Sequence, residues 1–127
     1  MKIIPRTGGY AMNIESVKTL FTLFSGEDSL EKYMPVITLA VSEVEAMLIS
    51  PDESDIRLDF LCAAVANFRL RQINASRDRT EFTYAGKMTA GDTEKSSLRC
   101  AEALLRDYMS LCKGLIRNES FTFFGIG

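Results

Sequence analysis

The stretch that decides the fold runs from Asp55 to Ser76, DIRLDFLCAAVANFRLRQINAS. Between Leu58 and Phe68 only Asp59 and Asn67 are polar, so Phe60, Leu61, Cys62, Ala63, Ala64, Val65 and Ala66 leave the segment no hydrophilic side. A surface helix carries one apolar stripe; a helix apolar around its circumference is one that other elements cover. A buried strand would be shorter and poorer in alanine, so length and composition favour a helix. The expected fold is therefore all-α, a small bundle of about four helices built round this one.

Working outward toward the N-terminus, PDESD at 51–55 is an acidic connector. Asp52 or Ser54 can cap the central helix, and carboxylates there face the positive end of its dipole. Upstream, Ile37, Ala40, Val41, Val44, Met47 and Leu48 form the inner stripe of a second helix that Ser50-Pro51 stops. Pro35 suits its first turn, and Asp28-Ser29 can cap a separate short turn through Tyr33. A first helix begins after Met12, with Asn13 as cap and Ile14, Val17, Leu20, Phe21 and Phe24 at helical spacing. It ends near Ser25-Gly26, because glycine is favoured just past a helix end.

Residues 1–11 are unlike the rest, basic, with Pro5 and the pair Gly8-Gly9. Two glycines shortly before Met12 match a translated ribosome-binding site, so 1–11 is expected to be a leader outside the native or ordered protein. Residues 12–127 are expected to form one domain. Mass spectrometry of the protein made from its native gene checks this: a mature N-terminus at Met1 refutes it.

At the other end of the central helix Arg69, Arg71, Arg77 and Arg79 gather where the dipole is negative. They either complete the helix terminus or form a basic contact surface. The run RTEFTYAGKMTAGD at 79–92 then alternates Phe82 and Tyr84 with Glu81 and Thr83 and turns at Ala85-Gly86. That pattern predicts a projecting, β-hairpin-like loop before the last helix. A lone hairpin is marginal, so Phe82 and Tyr84, with Lys87 beside them, either pack on the bundle or meet a partner.

Asp92 or Thr93 is expected to cap the last helix, with Leu98, Ala101, Leu105, Tyr108, Cys112 and Leu115 as its inner row and Arg117-Asn118 as its end. Glu102 and Arg106 form an i,i+4 pair. The tail ESFTFFGIG places Phe121, Phe123, Phe124 and Ile126 within nine residues. Such a terminus either folds back over its own core or docks on a neighbouring subunit.

The totals exclude more than they assign. A chain of 127 residues, 46% hydrophobic and 25% charged, is an ordinary single-domain composition, and a net charge of −2 points to neither nucleic acid nor anionic membrane. No apolar run approaches the ~20 residues of a membrane span. Three cysteines and no histidine offer neither a disulfide framework nor a zinc site, so Cys62, Cys100 and Cys112 read as small buried thiols. No cofactor or metal is expected, and no catalytic constellation is visible. Asp52 and Asp55 look like cap residues, and Glu43 and Glu45 point about 200° apart on a helix.

The segments DFLCAAVANFRLRQINAS and RTEFTYAGKMTAGDTEKSSLRCAEALLRDYMSLC together resemble the small head–tail connector (head-completion or adaptor) proteins of long-tailed bacteriophages and prophages. The shared order is a short acidic linker, an Ala-rich apolar helix, an aromatic-x-aromatic-x-Gly loop, an amphipathic helix and an aromatic tail. It spans Met12 to Phe124. The resemblance implies a structural, non-enzymatic subunit assembled during virion formation in the bacterial cytoplasm and located in the virion neck. Its partners would be further copies of itself in a ring, the portal protein, and the next neck or tail protein, with no specific nucleic-acid recognition and no membrane. By position, the loop 81–89 and the tail 121–126 would be inter-subunit or portal-facing, with Arg69 and Arg71 as further interface residues. The competing readings are a small helical DNA-binding regulator, using FRLRQINASRDR, or a generic protein-interaction module.

Overall fold

A computed structural model describes residues 12–50, 52, 54–85 and 89–117, with side chains left out over 78–94. It is a bundle of four helices, α1 (Ile14–Ser25), α2 (Leu30–Met47), α3 (Ile56–Ala85) and α4 (Thr89–Leu111). The described region contains no strand, only isolated bridges.

The central helix is α3. Leu61 to Ala66 are fully buried and Leu58, Phe68 and Leu70 nearly so, as a helix apolar all round requires. The inner stripe expected for α2 is buried throughout, from Ile37 to Leu48, as are Val17 and Phe21 of α1. On α4, Ala101, Leu105 and Met109 are buried, while Leu98 and Tyr108 are partly buried and pack against the core.

The helix ends follow local chemistry in most places. The Asn13 side chain accepts from Glu15 N and Ser16 N, and Gly26 turns left-handed at φ 77° to close α1. The α3 cap is Asp55 instead of Asp52 or Ser54: its Oδ1 accepts from Arg57 N at 2.9 Å. The short turn expected before Pro35 is part of α2 itself, which starts at Leu30 and holds Pro35 in its second turn. There proline removes only its own bond to the Glu31 carbonyl, on an exposed face that water can reach. Helix α4 ends at Leu111, six residues before the expected stop at Arg117, because the chain turns through Gly114 at φ 98°.

The largest departure concerns 79–92. Its described residues are helical and not strands, since α3 continues to Ala85 and α4 already starts at Thr89, while the expected turn at Gly86 lies outside the described residues. Once a helix is nucleated each further residue adds a hydrogen bond at little cost, whereas a new two-stranded ribbon must stand alone. Four alternating residues do not outweigh that.

Pairwise contacts fix the arrangement. Asn13 N donates to Asp59 Oδ1 at 2.8 Å, and Arg71 Nη2 donates to the Ser25 carbonyl at 2.6 Å, each spanning 46 residues of chain. The equal offset means that α1 runs parallel to α3 in constant register. Between α3 and α4, Arg57 Nη1 reaches the Leu111 carbonyl at 3.3 Å and Phe60 meets Tyr108 at 5.4 Å between ring centroids. A step forward on α3 thus matches a step back on α4, so the two are antiparallel.

Helix α1 ends level with Arg71. Beyond that level Ile73 is half-exposed, Ala75 is the last described side chain of α3 that is buried, and the first buried one described on α4 is Ala101. Both helices continue past those positions: 76–85 of α3, about 15 Å of helix, and the start of α4 form a two-helix arm.

Candidate interaction surfaces

Each end of α1 is satisfied by a side chain of α3. Asp59, 5% exposed, accepts the Asn13 N–H at the positive end of the α1 dipole. At the negative end the guanidinium of Arg71 meets the Ser25 carbonyl, one of the groups a helix terminus leaves without an internal partner. Charges of opposite sign on α3, one at each end of α1, hold that helix in register.

Arg69 is likewise turned inward. Its Nε and Nη2 grip the two carboxylate oxygens of Glu43 on α2, and Nη1 bonds the Gln72 side chain at 2.8 Å. Both partners of the ion pair are about three-quarters buried. Arg77 bonds Asn74 within its own helix at 2.8 Å. In the folded subunit Arg69 and Arg71, the two arginines expected at an interface, each tie α3 to a neighbouring helix.

Phe82 and Tyr84 lie on the last turns of α3, within the arm; their side chains are outside the described residues, as are Lys87, Phe121, Phe123 and Phe124 and all of 1–11. In helical register Phe82 falls one heptad beyond Ala75 and two beyond Phe68, on one line of α3, whereas Tyr84 falls about 200° away from Phe82.

The thiols are not alike. Cys62 and Cys112 are buried and Cys100 is exposed, against the expectation that all three are buried. Burial pushes the Cys62 thiol strongly up, with the carboxylates of Asp59 and Glu43 adding to the effect. It raises Cys112 to about 11 against a partial opposing pull from Arg57. A thiol-specific reagent at neutral pH is expected to modify one group per folded chain, at Cys100, and all three after denaturation. Rapid modification of two or three thiols in the native protein would contradict this placement.

At the opposite end of the bundle Arg57 Nε and Nη2 bond both oxygens of Asp55 at 3.0 and 2.8 Å. Those side-chain bonds, followed by the backbone bond from Arg57, hold the Asp55 carboxyl down to about 2 from its ordinary 3.8. A depressed folded-state pKa means that the unfolded chain binds the proton first. The stabilisation is thus present above about pH 4 and is lost as pH falls toward about 2. Asp55→Asn is expected to remove that part of the acid dependence, measured as a smaller change in urea midpoint between about pH 5 and pH 2.5. An unchanged slope would refute the linkage.

Asn67 is 4% exposed and its Oδ1 has no hydrogen-bond partner; nothing in the structure explains it. Among the described residues no group of three or more His, Cys, Asp or Glu is placed to hold a metal ion, and no helix is long and apolar enough to cross a membrane. Comparison with protein-family models, with curated proteins and with solved structures finds no match.

Proposed function

We propose that the chain is a structural assembly subunit of the head–tail connector kind, acting by shape and contact without chemistry. It would form a ring between the portal and the following neck or tail protein and so extend the DNA channel. The observation that supports this reading is the two-helix arm of α3 and α4, in which both helices extend past Ala75 and Ala101, the last described buried residues toward that end. Subunits of a closed ring need two different complementary patches. The arm and the aromatic segment that follows Arg117 in the sequence are the two candidates. The sequence order that resembles the connector family supports the same reading.

The competing DNA-binding regulator loses its best feature, because Arg69 and Arg71 are occupied by Glu43, Gln72 and the Ser25 carbonyl. Phosphate contacts are the main source of affinity for a duplex, and two of the four clustered arginines are already committed within the subunit.

Co-expression with the portal protein encoded in the same gene neighbourhood tests the proposal. The expected result is a stable complex of many copies on one portal ring, seen by electron microscopy. Phe82→Ser with Tyr84→Ser is expected to leave the isolated subunit folded while reducing its incorporation at least tenfold. A wild-type subunit that never associates with portal would refute the function. A double variant that loses its cooperative thermal transition would instead place those rings in the arm's own helix–helix seam.

A further inference from the structure

We propose that in the free subunit the C-terminal segment 118–127 lies along the outward face of its own α2. That face is unusual for a helix in water. From Pro35 to Ile49 the exposed residues are Pro35, Thr38, Leu39, Ser42, Ala46 and Ile49, none of them charged. Leu39 and Ile49 are each about half exposed. The acidic residues between them, Glu43 and Glu45, are half-buried at the edges, and Glu43 is bonded to Arg69. A solvated helix face ordinarily carries charge.

The point at which the tail leaves the bundle selects the occupant. Ile49 N donates to the Leu115 carbonyl at 3.0 Å and Arg117 N to the Met47 carbonyl at 2.9 Å. The Arg117 side chain also reaches the Ala46 carbonyl at 3.5 Å. Residues 115–117 therefore run antiparallel to 47–49, so the last described residues point back toward α2. Ten residues follow. Extended, they reach about 33 Å, and the face from Pro35 to Ala46 is only about 17 Å long.

Chemistry matches as well. The segment carries Phe121, Phe123, Phe124 and Ile126 with Glu119 as its single charged side chain, so an uncharged face is what it can cover. Covalent attachment a few residues away gives an effective concentration in the mM range. At micromolar protein that favours the chain's own tail over a second copy's. The inference stands apart from the ring proposal: it concerns the isolated subunit and holds whether or not a ring forms.

A nitroxide on Thr38→Cys, in a Cys100→Ser background, tests it by its effect on the amide resonances of residues 119–127 in the ¹⁵N-labelled protein. The expected result is a severalfold loss of those peak intensities relative to the reduced label, independent of protein concentration. Adding Leu39→Glu and Ala46→Glu, both at exposed positions, is expected to restore the intensities without unfolding the chain. Full intensity in the first sample, or loss that persists in the glutamate variant, would overturn the proposal. So would loss in a mixture of nitroxide-bearing ¹⁴N protein and unlabelled-side-chain ¹⁵N protein, which would assign the contact to a second copy.

Discussion

Leu61→Ala is expected to destabilise the subunit by about 3–4 kcal/mol, a large share of what holds a domain of this size together. Leu61 is fully buried on α3, among Leu58, Cys62, Val65 and the other side chains of one continuous core. That helix contacts α1, α2 and α4 alike. Removing three carbons there loses their transfer free energy and leaves a void, and a helix pinned on several sides has little freedom to collapse into it. Chemical denaturation provides the measurement, with Leu23→Ala as the control. Leu23 is 72% exposed, so its loss is expected to stay within about 0.5 kcal/mol. Equal effects at the two sites would mean that α3 is not the enclosed helix.

Asp59→Ala is expected to cost about 2–3 kcal/mol, more than a solvent-exposed hydrogen bond is worth. The carboxylate is buried within the most apolar part of α3 and accepts the Asn13 N–H. Truncation leaves that donor without its partner beneath the first turn of α1 and removes a negative charge from the positive end of the helix dipole. Asp59→Asn keeps an acceptor oxygen and is expected to recover part of the loss. Amide exchange separates this from a general core defect. Protection is expected to fall first at Asn13 and through the first turn of α1, ahead of α2. Uniform loss across all helices would show that Asp59 acts only by filling space.

These two residues show why the sequence was legible in some respects and silent in others. Leu61 announces its place, because apolar residues on every side of a long Ala-rich segment leave few alternatives to a covered helix. Asp59 does not. A lone acid in that segment reads as a blemish until the start of α1 is brought beside it from 46 residues away. The bonds of Arg69 and Arg71 are hidden for the same reason: in the sequence they are a basic cluster at a helix end, and their partners Glu43 and Ser25 lie 26 and 46 residues upstream. The run 79–92 failed differently. Four alternating residues fit a strand and a helix equally well when counted alone, and the preceding helix simply continued through them.

The sequence alone determined the all-helical class, the inner rows of α1, α2 and α4, the Asn13 cap and the Gly26 stop, because periodicity and capping depend on residues a few positions apart. Only the tertiary structure decided that α1 lies parallel to α3, which of the acids before the central helix caps it, and that α3 stays helical to Ala85. It also decided that two arginines face inward and one cysteine outward. Those outcomes depend on which distant side chain arrives to satisfy a buried charge or an orphan carbonyl, and no local spacing encodes that.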